Sequence, residues 1–135
     1  MNNTIRVSCN KKNLKLIRDF VTDYLSVYKP SEIVLNQMVL AVDEICANLI
    51  IHANQEDNSK YLTLSVAHKN NGYLFEICDE GKSFTQANYK EPNIQDNIKQ
   101  GKKGGVGIAL VNRIMDRVEF HSTNGTNICR LYKKA

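Results

Sequence analysis

Val42-Asp43-Glu44-Ile45-Cys46-Ala47-Asn48-Leu49-Ile50-Ile51-His52 sits inside a long run with helical apolar spacing. Val34, Leu35, Met38, Val39, Val42, Ile45 and Leu49 recur every three or four residues, and Pro30-Ser31-Glu32 opens the run with Ser31 as its cap. The spacing predicts a helix reaching Ala53, apolar on more than one side and so central, packed against a sheet. Glu44 and Asn48 stand one turn apart on one face of it. A carboxylate and a carboxamide on such a helix form either a solvated edge or a site for a metal-bound phosphate, because an unpaired buried charge is costly.

Working outward, Thr4 to Cys9 alternates as a short strand, and Asn10 caps a helical period through Leu14, Ile17, Val21 and Leu25 that ends near Tyr28. Beyond the central helix, 54–58 is a polar loop. Leu62, Leu64 and Val66 then alternate with Tyr61, Thr63 and Ser65, a strand with one buried face. Asn70-Asn71-Gly72 is a hairpin turn signal, Tyr73 to Cys78 the returning strand, and Asp79-Glu80-Gly81-Lys82-Ser83-Phe84 its end. Residues 85–103 are polar, with Pro92, and form a long connection of the kind that is either a functional lid or a disordered linker. Gly101-Lys102-Lys103-Gly104-Gly105-Val106-Gly107 reads as a glycine loop running into a helix through Ile108, Leu110, Val111 and Ile114. Arg117 to His121 is a strand with Val118 and Phe120 facing in, Asn124-Gly125 a second hairpin turn, and Thr126 to Lys133 the closing strand. The order β-α-α-β-β-(lid)-α-β-β makes the fold class α+β: a two-layer sandwich of one mostly antiparallel sheet with helices packed on one face. Residues 1–135 read as a single domain.

Composition is that of a soluble domain, with 42% hydrophobic and 24% charged residues. The net charge of +4 fits an acidic partner or a polyphosphate, and without interleaved aromatics it does not support direct nucleic-acid binding. Cys9, Cys46, Cys78 and Cys129 form no CxxC pair and read as reduced core thiols of a cytoplasmic protein. The polar start lacks a signal peptide, and no apolar run is expected to approach the ~20 residues that span a membrane.

Three places could carry chemistry. The glycine segment offers close backbone approach and helix N–H donors to phosphate; it is neither a Walker A loop nor a dinucleotide-binding fingerprint. Asp79-x-Gly81 sets a carboxylate at a strand end, able to accept from an exocyclic amine, with room beside it for a flat ring. Asn48 has a hard oxygen suited to Mg²⁺, and Glu44 could deprotonate a nucleophile. Each alone also reads as ordinary structure: a flexible loop, an Asp-Gly turn, a wet helix edge.

Their order is more specific. E-x-x-x-N on a helix, D-x-G after a strand, a lid, and G-G-x-G opening a helix resemble the GHKL (Bergerat-fold) ATPase domain and, within it, the small anti-sigma factor serine/threonine kinases. Glu44 to Asn48 with Ile50-Ile51-His52 is similar to the N box, Asp79 to Phe84 to the first glycine box, and Gly104 to Val111 to the second. Asp116 to Phe120 and Gly125-Thr126 agree, so the resemblance covers essentially the whole chain.

The resemblance implies ATP and Mg²⁺ as cofactors, with Asn48 on the Mg²⁺ and Glu44 activating the hydroxyl of a substrate serine or threonine. Asp79 would accept from adenine with Gly81 admitting the ring and Thr126 supporting the contact. Lys103, Gly104, Gly105, Val106, Gly107 and Ile108 would form the phosphate end beneath the lid. It also implies a STAS-domain anti-anti-sigma protein as phosphoacceptor, a sigma factor as a second partner, and a homodimer, whose interface the sequence does not fix, the first strand or helix being the expected place. Ser83 stands where many such ATPases carry glycine, Thr85 where an acidic residue is frequent, and the lid has lysines but no arginine before its glycines. Those departures keep open a second reading, an ATP/ADP-dependent binding switch without kinase turnover. The catalytic half of a sensor histidine kinase is disfavoured, since no helix with a phosphoacceptor histidine precedes the site.

Overall fold

In a computed structural model of the chain, the described residues are 3–69, 71–79, 103–123 and 125–134. The order is β1 (Thr4–Ser8), a 3₁₀ turn (Lys11–Asn13), α1 (Leu14–Ser26), α2 (Glu32–Asn48), a π-helical turn (Leu49–Ala53), β2 (Tyr61–Lys69), β3 (Gly72–Asp79), α3 (Lys103–Ile114), β4 (Arg117–Thr123) and β5 (Thr126–Lys134). Ser31 caps α2 as expected, whereas Asn10 caps the 3₁₀ turn and not α1, whose own N-cap, Asn13, makes no side-chain capping bond. Asn10 accepts from Lys12 N at 2.9 Å, and Ser31 accepts from Val34 N at 3.2 Å, each satisfying a donor that a helix start leaves open.

The five strands form one antiparallel sheet in the order β1-β2-β3-β5-β4. Strand alternation puts one residue in two on the helix side, and the register lines these up in rows. Val66, Phe75, Leu131 and Val118 make one row, and Leu64, Ile77, Cys129 and Phe120 the next. Both rows belong to the core, with Val118 and Phe120 partly buried at its margin. The third row changes character: Val7 and Leu62 are followed by Asp79, Asn127 and Ser122. The inner face is thus apolar along most of its length and polar at one end.

Helix α2 lies between α1 and α3. Its Met38, Ala41, Val42, Ile45 and Cys46, followed by Leu49 and Ile50 of the π-helical turn, are buried. Arg18 of α1 pairs with Asp43 of α2 at 2.9 Å; a half-exposed pair of this kind contributes at most about 1 kcal/mol, so apolar burial holds the layers together. By length and composition, residues 32–53 would suffice to cross a membrane, contrary to the expectation of no such run. The segment is instead the central core helix: a stripe that must face two neighbouring helices and a sheet is apolar on several sides for that reason.

At the β2–β3 turn the positive φ falls on Asn71 (57°) and not on Gly72, which is the first residue of β3. Gly72 is needed for closeness: a Cβ there would lie 2.8 Å from the carbonyl oxygen of Lys133. Gly125 does supply the left-handed residue of the β4–β5 turn, with φ of 80°. The four cysteines are free, with Cys9, Cys46 and Cys129 buried and Cys78 half-buried; burial raises each thiol pKa. Residues 85–102 of the expected lid and Gly81 lie outside the described residues.

Candidate functional site

The polar end of the inner face is where α2 meets β3. Beyond Asn48 the helix widens by one residue per turn: Asn54 N donates to Leu49 O at 2.9 Å, an i→i+5 bond. Glu56 N then donates to Ile50 O at 2.7 Å, and Gln55 and Glu56 take left-handed φ of 52° and 55° to turn the chain away. The widened turn carries the Asn54 side chain inward. Its Nδ2 donates to Leu49 O at 2.8 Å and to Asp79 Oδ2 at 2.7 Å. Both Asn54 and Asp79 are almost completely buried, at 1% and 2% exposure. A hydrogen-bonded chain therefore joins the end of the Glu44–Asn48 helix to the carboxylate at the end of β3.

Asp79 also has Asn127 of β5 opposite it in register, buried and accepting from Ser122 Oγ at 2.8 Å. Thr126, half-buried, precedes Asn127, so its backbone lies near Asp79 on the neighbouring strand while alternation puts the two side chains on opposite faces. Both residues border a cleft of about 310 Å³ with Arg6, Tyr61 and Thr63, where the Arg6 guanidinium lies 3.8 Å from the Tyr61 ring centroid. This cleft opens on the helix-free face, whereas the Asp79 side chain alternates to the inner face beside Asn54. The carboxylate, not the cleft, marks the candidate site. A larger hollow of about 700 Å³, between Glu119, Arg130 and Tyr132, contains none of the expected catalytic, nucleotide-binding or metal-binding residues.

Glu44 and Asn48 are both half-buried on one side of α2, while Val42, Ile45 and Leu49 of the same helix are buried. Burial raises the Glu44 carboxyl above its usual range, and the neighbouring Asp43 adds to this. His52 is exposed in the π-helical turn. The glycine segment departs from expectation. Lys103, Gly104, Gly105, Val106 and Gly107 belong to the first turns of α3, not to a loop ahead of it. The helix is anchored from Ile108 and Ala109 onward, both buried, and a helix held by its apolar face can extend N-terminally through glycines at about 1 kcal/mol per residue. Its unpaired N–H donors thus lie at the start of α3.

Two residues of this region were not singled out from the sequence. Asn54 falls in the stretch 54–58, whose composition is that of a polar loop. Asn127 did carry a signal: it occupies the inward position of the alternation Asn127, Cys129, Leu131, where an apolar side chain is the rule.

Residues 7–133 match the family model described as the histidine kinase-like ATPase domain. The chain belongs to that family. Within it, the chain is 27% identical over 95 residues to the serine-protein kinase RsbW of Halalkalibacterium halodurans, covering 67% of this chain and 57% of that relative. It is 24% identical over 98 residues to RsbW of Bacillus thuringiensis, covering 70% and 61%. The chain thus matches about three fifths of these relatives' length. Among solved structures, the RsbU and RsbW domains of Rv1364c from Mycobacterium tuberculosis align over 98% of this chain and 32% of that one, with a TM-score of 0.64 at 10% identity. The histidine kinase domain of the blue-light activated histidine kinase from Erythrobacter litoralis EL346 gives 0.57 at 11% identity, over 98% and 64%. These likenesses concern the fold: helices on one face of an antiparallel sheet.

The histidine kinase-like ATPase family implies use of ATP. The residues present fit a nucleotide in their chemistry. A buried carboxylate held at a strand end suits an amine donor, and an accessible carboxamide on α2 suits a hard cation whose other ligands are phosphate and water. Among the described residues there is no group of three or more His, Cys, Asp or Glu able to hold a metal unaided.

The raised Glu44 pKa has a sign that can be tested. The folded state holds this proton more tightly than the unfolded chain, so ionised Glu44 costs stability once pH exceeds the unfolded pKa. Glu44→Gln is therefore expected to raise the melting temperature modestly at pH 7. The gain should fade as pH falls below about 4, where the wild-type carboxyl is protonated in both states. A pH-independent difference in melting temperature would contradict this.

Proposed function

We propose that this protein binds Mg-ATP and transfers the γ-phosphoryl group to a serine or threonine of a STAS-domain anti-anti-sigma protein, and that it also sequesters a sigma factor. The observation that carries the reading is the Leu49–Asn54–Asp79 hydrogen-bonded chain, which joins the helix of Glu44 and Asn48 to a buried carboxylate. The names of the RsbW relatives support the reaction class.

In this reading Asp79 accepts from the adenine amine, Gly81 leaves room for the ring, and Thr126 supports that end. Lys103, Gly104, Gly105, Val106, Gly107 and Ile108, at the start of α3, serve the phosphate end, where helix N–H donors favour anions. Asn48 holds the Mg²⁺, which when bound neutralises phosphate charge. Glu44 takes the proton of the attacking hydroxyl as its oxygen bonds to the γ-phosphorus and ADP leaves. A carboxylate made more basic by burial suits that task. The protein acts as one domain over residues 1–135 in the cytoplasm, as a homodimer.

A second reading, a nucleotide-dependent binding switch without transfer, is favoured by Ser83, Thr85 and the absence of arginine from 85–103. The test is to incubate the protein with radiolabelled Mg-ATP and a candidate STAS protein, with and without a sigma factor. Label on the STAS partner is expected. Normal nucleotide affinity and nucleotide-dependent partner binding with no phosphoprotein would establish the switch instead.

A further inference from the structure

We infer that Asn54 is the positioning residue for Asp79, fixing the carboxylate so that it selects a purine bearing an exocyclic amine. The inference rests on the adenine-nucleotide reading above and adds to it a residue outside the recognised boxes. A carboxylate at the last residue of a strand rotates broadly about χ2 unless something holds it. Here Asn54 Nδ2 holds Oδ2 at 2.7 Å. The amide cannot swing, because its other proton is on Leu49 O at 2.8 Å and its own backbone N–H is on that same oxygen at 2.9 Å. Nor can it flip. Leu49 O and the Asp79 carboxylate are both acceptors, so only the NH₂ edge fits between them. The left-handed pair Gln55 and Glu56 closes the segment immediately afterwards.

Among the described residues, Asn54 Oδ1 is buried and accepts no hydrogen bond. That costs stability, but the two N–H donors of the same amide satisfy Leu49 O and the buried Asp79 carboxylate, which an apolar side chain would leave without them. What the amide supplies is a two-donor clamp between α2 and Asp79. Anything that moves the end of α2 therefore moves the adenine acceptor with it. Glu44 and Asn48 lie on that helix, so base recognition and the phosphate-handling residues share one rigid support.

The experiment is a ligand comparison by calorimetry on the full chain, with ADP and with purine riboside diphosphate, which lacks the 6-amine. Wild type is expected to bind ADP about 10- to 100-fold more tightly, the range for one hydrogen bond to a charged group. In Asn54→Leu that ratio should collapse to below about 3-fold. If Asn54 is only structural, both affinities fall together and the ratio is kept, which overturns the inference while leaving the adenine reading intact. A wild type that binds neither ligand overturns the adenine reading itself. Should Asn54→Leu fail to fold, the wild-type Asn54 side-chain amide resonances decide. ADP should shift them substantially more than the desamino analogue does, and equal shifts overturn the inference.

Discussion

Glu44→Gln is expected to reduce phosphoryl transfer to the STAS partner by about 100- to 10,000-fold, the usual worth of a positioned general base, while leaving nucleotide affinity within about 3-fold. The amide keeps the volume and polarity of the carboxyl and cannot take a proton. Glu44 is half-buried one turn from Asn48, and removing its charge relieves a desolvation cost, so the variant is expected to stay folded. Its pKa is raised by burial, then by Asp43. The wild-type transfer rate should therefore rise with pH through the acid range and level off once the carboxylate is ionised. The measurement is the single-turnover rate of phosphoprotein formation, with ADP affinity measured in parallel. Unchanged transfer in the variant would remove Glu44 from the chemistry. A loss of nucleotide binding equal to the loss of rate would make it a binding residue instead.

Asp79→Asn is expected to weaken ADP binding by about 100-fold. The argument is one of donors and acceptors. Asn54 presents an N–H to one side of residue 79, and adenine presents an N–H to it as well. A carboxylate accepts from both. An asparagine can accept from only one, and its own NH₂ must then face the other donor, whichever way it is turned. Titration calorimetry reads the affinity, and circular dichroism checks that the variant is folded. An affinity within 3-fold of wild type would move the adenine site away from Asp79. Coupling gives a further check: if Asn54 acts through Asp79, the double variant should lose little more affinity than Asp79→Asn alone.

Much of this architecture can be read before any coordinates exist. Leu62, Leu64 and Val66 alternate strictly, and the structure buries all three. Ser31 precedes a long helical period, and Ser31 caps α2. Such features are local: a period of two or of three to four residues reports which side of an element meets the core. The glycines from 104 to 107 show the limit. Their composition says loop, yet the described backbone is helical from Lys103, because α3 is held by Ile108, Ala109 and Val111 against α2 and not by the propensity of its first turn. Likewise the length and apolarity of residues 32–53 say membrane as readily as core, and only packing between α1 and α3 separates the two.

By itself the sequence determined the order of elements, their apolar faces, and the placing of Glu44 and Asn48 one turn apart, since each depends on neighbours within a turn or a strand; the nucleotide came only from the resemblance of its ordered boxes to a family. Tertiary structure decided that β5 inserts between β3 and β4, which sets Thr126 and Asn127 beside Asp79. It also decided that α2 ends in a widened turn whose Asn54 reaches back to that carboxylate across 25 residues of chain. No local pattern could announce that bond. A polar residue after a helix is commonly a solvated cap, and only the close approach of α2 to the end of β3 turns this one into a buried clamp.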